Sequence, residues 1–349
     1  MPLQGQNKLN YALLTFSIAL FIFTTLACKK KGGNDNPANT VTSTEVFLCG
    51  NKDKNSIWSK NGVVSTLTDV QWPISCTGND IVVDGNDVYI AGIFRNNSEP
   101  PNDIAAYWKN GVPVYLTDGT FDANASAIYF ADNNVYVAGW EYNADTIPVA
   151  KYWKNGVAVN LSDGSKDAYA NDIFVDGNDI YVAGYEAGGN SFVAKFWKNG
   201  VPYNVSDGSS LAYAVSIRVI NGDIYVGGTV LENNAMVAKC WKNFNPINIS
   251  DPSKSTVPAS MCVHGDDIYM VGGEYIGADM VAVMWKNGVS TYLSAAGADG
   301  QATDIKIHNN DVYIVTREST GMNTTCKLWK NGAATAFINS EMYNAIFLK

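Results

Sequence analysis

"FWKNGVPYNVSDG" occupies residues 196–208, and two close echoes precede it: "YWKNGVAVNLSDG" at 152–164 and "YWKNGVPVYLTDG" at 107–119. Asn-Gly between two apolar runs is the strongest short hairpin signal, because a type I′ turn needs positive φ at both central positions. Each phrase therefore reads as a strand, a tight turn and a second strand. That second strand alternates, as in Val112, Val114 and Leu116, and it tolerates Pro113, Pro202 and Pro246. Proline within a sheet belongs on an edge, so this strand is expected to be the outermost of its sheet.

Working outward, the tryptophans Trp58, Trp108, Trp153, Trp197, Trp241, Trp285 and Trp329 are spaced 50, 45, 44, 44, 44 and 44 residues apart. A second phrase keeps the same period, from "VFLCG" at Val46 through "IYVAG" at Ile180 to "VYIVT" at Val312. A fixed period in this range signals a propeller or solenoid. Residues 168–211 show one full unit: "AYANDIFV", the turn "DGND", "IYVAGYE", a looser "AGGNS", "FVAKFW", "KNG" and "VPYNV". That is four short strands with no room for a helix. "IYVAG" is apolar without alternation, as expected of a strand covered on both faces.

Seven such sheets, each covered by its neighbours, predict an all-β fold, a seven-bladed β-propeller of four-stranded antiparallel blades. The first unit begins at Glu45 with its second strand, and the chain finishes with "YNAIFLK", which matches the inner strand "YANDIFV". The C-terminal strand is thus expected to complete blade 1. "GDIYVGG" at 222–228 and "DDIYMVGG" at 266–273 resemble the diglycine strand of kelch-type repeats, a resemblance that spans about residues 45–349 and implies the same architecture. Propellers host unrelated activities, so it implies no functional residue.

The amino terminus reads as an export signal: Lys8 precedes an apolar run from Tyr11 to Ala27, about the length of a secretory core. Ala27 directly before Cys28 resembles the lipobox of bacterial lipoproteins, which implies cleavage after residue 27, a lipid on Cys28 and, with Lys29 following, the outer membrane. An uncleaved membrane anchor is the alternative, and both put the body outside the cytoplasm. Residues 28–44, rich in Lys, Gly, Asn and Thr, then form a flexible tether to a propeller body at 45–349, expected to be monomeric. With 24 Lys plus Arg against 33 Asp plus Glu the chain carries −9, and the first 44 residues are themselves positive. So acidic a body is a poor match to nucleic acid.

Conventional chemistry has no visible candidate. The two histidines, His264 and His308, fall at turns, and G-x-S-x-G, H-E-x-x-H and P-loop motifs are absent from the sequence. Cys49, Cys76, Cys240, Cys262 and Cys326 sit in apolar strand patterns, where cysteine acts as a small hydrophobe. No cofactor or metal is expected. The repeated Trp is expected to pack between blades.

What departs from the repeat is more informative. The tight turns "DGND" and "KNG" share one face, and the variable connections share the other, where binding usually resides. Past the "VYVAG" strand that face carries Phe94 and Arg95, Trp140 and Glu141, Tyr185 and Glu186, Glu274 and Tyr275, Arg317 and Glu318, with Trp72 in another loop. Aromatic faces beside carboxylates suit a glycan or a protein segment. The expected function is a lipid-anchored binding protein without catalysis. The alternatives are a hydrolase or lyase using funnel carboxylates, with Asp80, Asp172 and Asp304 as candidates, or a scaffold subunit of an envelope complex.

Overall fold

The seven asparagines of the "KNG" turns, from Asn61 to Asn331, all adopt φ between 48° and 52°. In six turns glycine follows at positive φ, and in the fifth Phe244 takes that place at φ 71°. Asn199 shows why the phrase recurs. Its Oδ1 accepts the Ile180 N–H at 2.9 Å, its Nδ2 donates to Asp179 at 2.8 Å, and its own N–H donates to the Ile180 carbonyl at 2.8 Å. Lys198 pairs with Asp179 at 2.7 Å and lies 5.1 Å over the Tyr181 ring. "KNG" is therefore a clasp between the third strand and the start of the second. The Asn Oδ1 bond recurs in all seven blades.

This computed structural model describes residues 43–349 apart from 53–54, 68–74, 98, 100, 190, 296, 321–322 and 340. Among the described residues the strands form seven four-stranded antiparallel sheets. The inner strands are Ser75–Asp84 in blade 2, Ala123–Ala131 in blade 3, Ala168–Asp176 in blade 4, Ala212–Ile220 in blade 5, Thr256–His264 in blade 6 and Asp299–His308 in blade 7. Blade 1 takes its inner strand from the end of the chain: Met342–Leu348 pairs with Val46–Lys52, followed by Asn55–Lys60 and Val63–Leu67. Met342–Leu348 also adjoins the inner strands of blades 7 and 2, so the ring closes within Thr44–Lys349. The outer strands are short and largely exposed, with Pro113, Pro202 and Pro246 in them as expected of edges.

The cores lie between blades. Trp197 packs among Ala138, Ala150 and Leu161 of blade 3, and Trp153 and Trp241 occupy the corresponding seams beside them. Blade 1 departs from the pattern. Its phrase is "WSKNG", one residue longer, so Trp58 pairs with Cys49 and Ser59 pairs with Leu48, where the blade 2 counterpart is Trp108 with Ile90. A one-residue slip turns a side chain to the other face. Trp58 accordingly packs half-buried against the cluster between blades 1 and 2, and the seam between blades 7 and 1 is filled by Ile57 and Tyr343. Six of the seven tryptophans are equivalent, and Trp58 is not.

The last glycine of "VYVAG" has a steric cause. In six blades the inner strand carries a bulge opposite it, as between Ala170 and Asp172, and in blade 7 the same bulge faces Thr316. The bulge brings the Tyr169 carbonyl to 1.9 Å from where a Cβ on Gly184 would stand. A side chain at Gly184 would therefore force the backbone to shift.

Candidate functional site

A β-bulge sets two residues of one strand against one of its partner and re-aims their side chains. Here it recurs around the axis, in pairs such as Asn79 with Asp80, Asn171 with Asp172, Thr303 with Asp304 and Asn344 with Ala345. All seven blades contribute such a pair to one axial pocket, joined there by Arg218 and Lys306. The pocket is about 110 Å³, room for a few waters or one small polar group.

The three aspartates first hold the ring together. Asp80 accepts its own blade's Ile81 N–H at 2.8 Å and the Ile128 N–H of blade 3 at 2.9 Å. Asp172 likewise joins Ile173 to Ile217 of blade 5, and Asp304 joins Ile305 to Ile346 of blade 1. These bonds replace ladder bonds that the bulges interrupt.

Their charge balance differs. Asp172 pairs with Arg218 at 2.7 Å and Asp304 with Lys306 at 3.0 Å. Burial works against both cations, yet Asp172 holds the guanidinium and Asp304 the ammonium above their usual ranges. Among the described residues no ion pair reaches Asp80. Burial pushes its carboxyl up to about 6, with Lys306 opposing and Asp304 adding to the rise. Asp80 is the odd carboxylate of a site with three anions and two cations.

Above the pocket, on the face of the variable loops, runs an aromatic ladder. Trp140 of blade 3 meets Tyr169 of blade 4 at 5.5 Å between centroids, Tyr169 meets Tyr185 at 5.0 Å, and Tyr185 meets Tyr213 of blade 5 at 4.7 Å. Tyr142 and Phe192 flank it. These rings are half-buried strand residues, so the blades hold them rigidly. From Tyr185 and Tyr213 a groove continues past Met236, Val257 and Pro258, and it shares Asn171, Val215 and Ala259 with the axial pocket. A ligand on the ladder could thus reach the axis.

Of the residues singled out from the sequence, Trp140 and Tyr185 stand on this ladder. Phe94 turns into the core, fully buried against Trp108 at 4.6 Å. Arg95 makes a two-pronged ion pair with Asp103 at 2.8 and 3.0 Å. The recurring glutamates mostly serve a second clasp: Glu141 pairs with Lys151 at 2.6 Å, Glu186 with Lys195, and Glu318 with Lys327 at 2.7 Å. In each of these three cases the lysine stands two residues before the repeated Trp. Glu274 is fully buried and accepts from Lys254 at 2.8 Å and the Tyr292 hydroxyl at 2.6 Å. Tyr275 is 44% exposed, and Arg317 bonds Gln301 at 3.3 Å. Cys28 and Trp72 lie outside the described residues. Sequence reasoning missed Tyr169, Tyr213, Arg218 and Lys306, whose only signal was their place on the inner strand.

No family model matches the chain, and no curated protein does. Among solved structures it is similar to a Trypanosoma rangeli sialidase in complex with sialic acid, at 10% identity and TM-score 0.47, covering 83% of this chain and 59% of that one. The chain therefore spans less than two thirds of the sialidase. The strand order and its C-terminal closure by themselves make residues 44–349 a seven-bladed β-propeller.

Proposed function

We propose that this chain is a binding protein of the bacterial cell envelope: a kelch-like propeller, lipid-anchored through Cys28, that takes a glycan or a protein segment on its variable-loop face without catalysis. The observation that carries the reading is the ladder from Trp140 to Tyr213, a rigid aromatic surface beside an axial polar pocket. Rings presented by strands give contact area at little entropic cost. The lipobox resemblance at Ala27 and Cys28 supports the anchor and the outer membrane, and labelling with a palmitate analogue tests it.

The decisive experiment probes glycan and peptide arrays with residues 45–349, alongside the double variant Tyr185→Ala and Tyr213→Ala. Retained hits and affinities in that variant would refute the ladder as the site. Turnover of a hit would instead favour a hydrolase or lyase using Asp80, Asp172 and Asp304. Against that alternative, each of these carboxylates is already engaged by backbone N–H groups on both oxygens.

A further inference from the structure

The mouth of the axial pocket is rich in acceptors whose orientation the fold dictates. Asn171 donates its Nδ2 to the Ala214 carbonyl of the next blade at 2.8 Å, Asn344 donates to the Gly78 carbonyl at 2.7 Å, and Asn79 donates to the Ala125 carbonyl at 2.9 Å. A flipped amide would set oxygen against oxygen, so in all three the Oδ1 is the atom left over. Among the described residues no protein donor is bonded to any of these three oxygens. Below them lie three carboxylates against two cations, a formal surplus of one negative charge. Beside them, opening through Asn171, lies the groove of Tyr185, Tyr213, Met236, Val257 and Pro258.

We infer that the ligand is a peptide with a free amino terminus, its ammonium seated among the amide oxygens of Asn79, Asn171 and Asn344 and its first side chains lying in the tyrosine groove. The inference rests on the binding reading above and narrows it to one ligand class. An ammonium has three N–H donors and no acceptor, which matches a ring of acceptors over a negative surplus. The groove favours a peptide over a sugar chain. Tyr185 and Tyr213 meet edge to face at 80°, which leaves no pair of parallel platforms, and Met236, Val257 and Pro258 offer apolar surface for side chains.

The ring closes within residues 45–349, so that part serves as the reagent. It is measured against random hexapeptides tethered by their carboxyl ends, each displayed with a free and with an acetylated amino terminus, together with a glycan array. The expected result is binding of free-amine peptides with an apolar second or third residue, weakened about tenfold or more by acetylation, the loss expected when a buried charge-assisted hydrogen bond is removed. Equal binding of both forms would overturn the amino-terminal inference and leave the binding face standing. Binding to glycans alone would overturn it in the same way. No binding to any probe would overturn this inference and the binding reading together.

Discussion

Replacing Asp80 with Asn tests whether the axial pocket is as enclosed as its geometry implies. In the folded protein burial pushes this carboxyl up to about 6, well above the usual carboxylate range, and among the described residues no cation is paired with it. A raised carboxyl binds its proton more tightly in the native state, so stability is greatest below the unfolded value and falls as pH rises through the folded one. A shift of about two units corresponds to a loss of about 3 kcal/mol at most, roughly two thirds of it between about pH 4 and 6. Asparagine does not titrate and removes this component. It also gives up one of the two backbone N–H bonds, which costs about 1 kcal/mol at every pH. Urea unfolding of residues 45–349 and of Asp80→Asn, followed by tryptophan fluorescence from about pH 3.5 to 7.5, isolates the effect in the difference between the two. The exposed turn aspartates, whose lowered values act in the opposite direction, are common to both proteins. The variant should gain about 3 kcal/mol on the wild type across that range. A difference that stays flat to within about 0.5 kcal/mol would refute the enclosed, unpaired carboxylate.

Deleting residues 343–349 removes the strand that closes blade 1 and bonds to both neighbours, so the whole ring should lose its cooperative melting transition; unchanged melting would contradict the topology. Gly184→Ala sets a Cβ on the Tyr169 carbonyl and should cost about 3 kcal/mol or more in a urea titration, whereas Gly177→Asn, at an open turn with φ 57°, should stay within about 0.5 kcal/mol. Lys195→Met leaves Glu186 without its partner in a largely buried setting and should destabilise by about 3 kcal/mol. Adding Glu186→Leu should restore much of that loss, and a double variant as weak as the single would show that the pair is not what holds the lysine there.

Much of the fold was legible because its determinants are local. An Asn-Gly turn is specified by the φ values two adjacent residues can adopt, and it recurs as read in six blades. Prolines marked the outer strands, and the likeness of "YNAIFLK" to an inner strand anticipated the closure. Trp58 departs from the other six because Ser59 lengthens its phrase by one residue, and strand register shows the consequence, Ser59 standing opposite Leu48 where Trp108 stands opposite Ile90. The glutamates read as a binding rim from the sequence; in the structure Glu141, Glu186 and Glu318 pair with the lysine ten or nine residues further on across a strand pair, and Glu274 pairs with Lys254.

The sequence by itself determined the number of blades, their strand order, the face of the tight turns and the place of the edge strands. Each follows from turn chemistry and apolar alternation over a few neighbouring residues. Only the tertiary structure decided what lies on the axis and on the open face. The bulge in each inner strand aims two consecutive side chains at the pocket, and ring closure brings together residues a whole repeat apart, such as Asp172 with Ser216 and Asp304 with Ser260. The same closure leaves three aspartates with two cations and lines up Trp140, Tyr169, Tyr185 and Tyr213 across three blades. Apart from Tyr169 with Tyr185, which pair across two strands of one blade, these are contacts between sheets, and no local pattern encodes them.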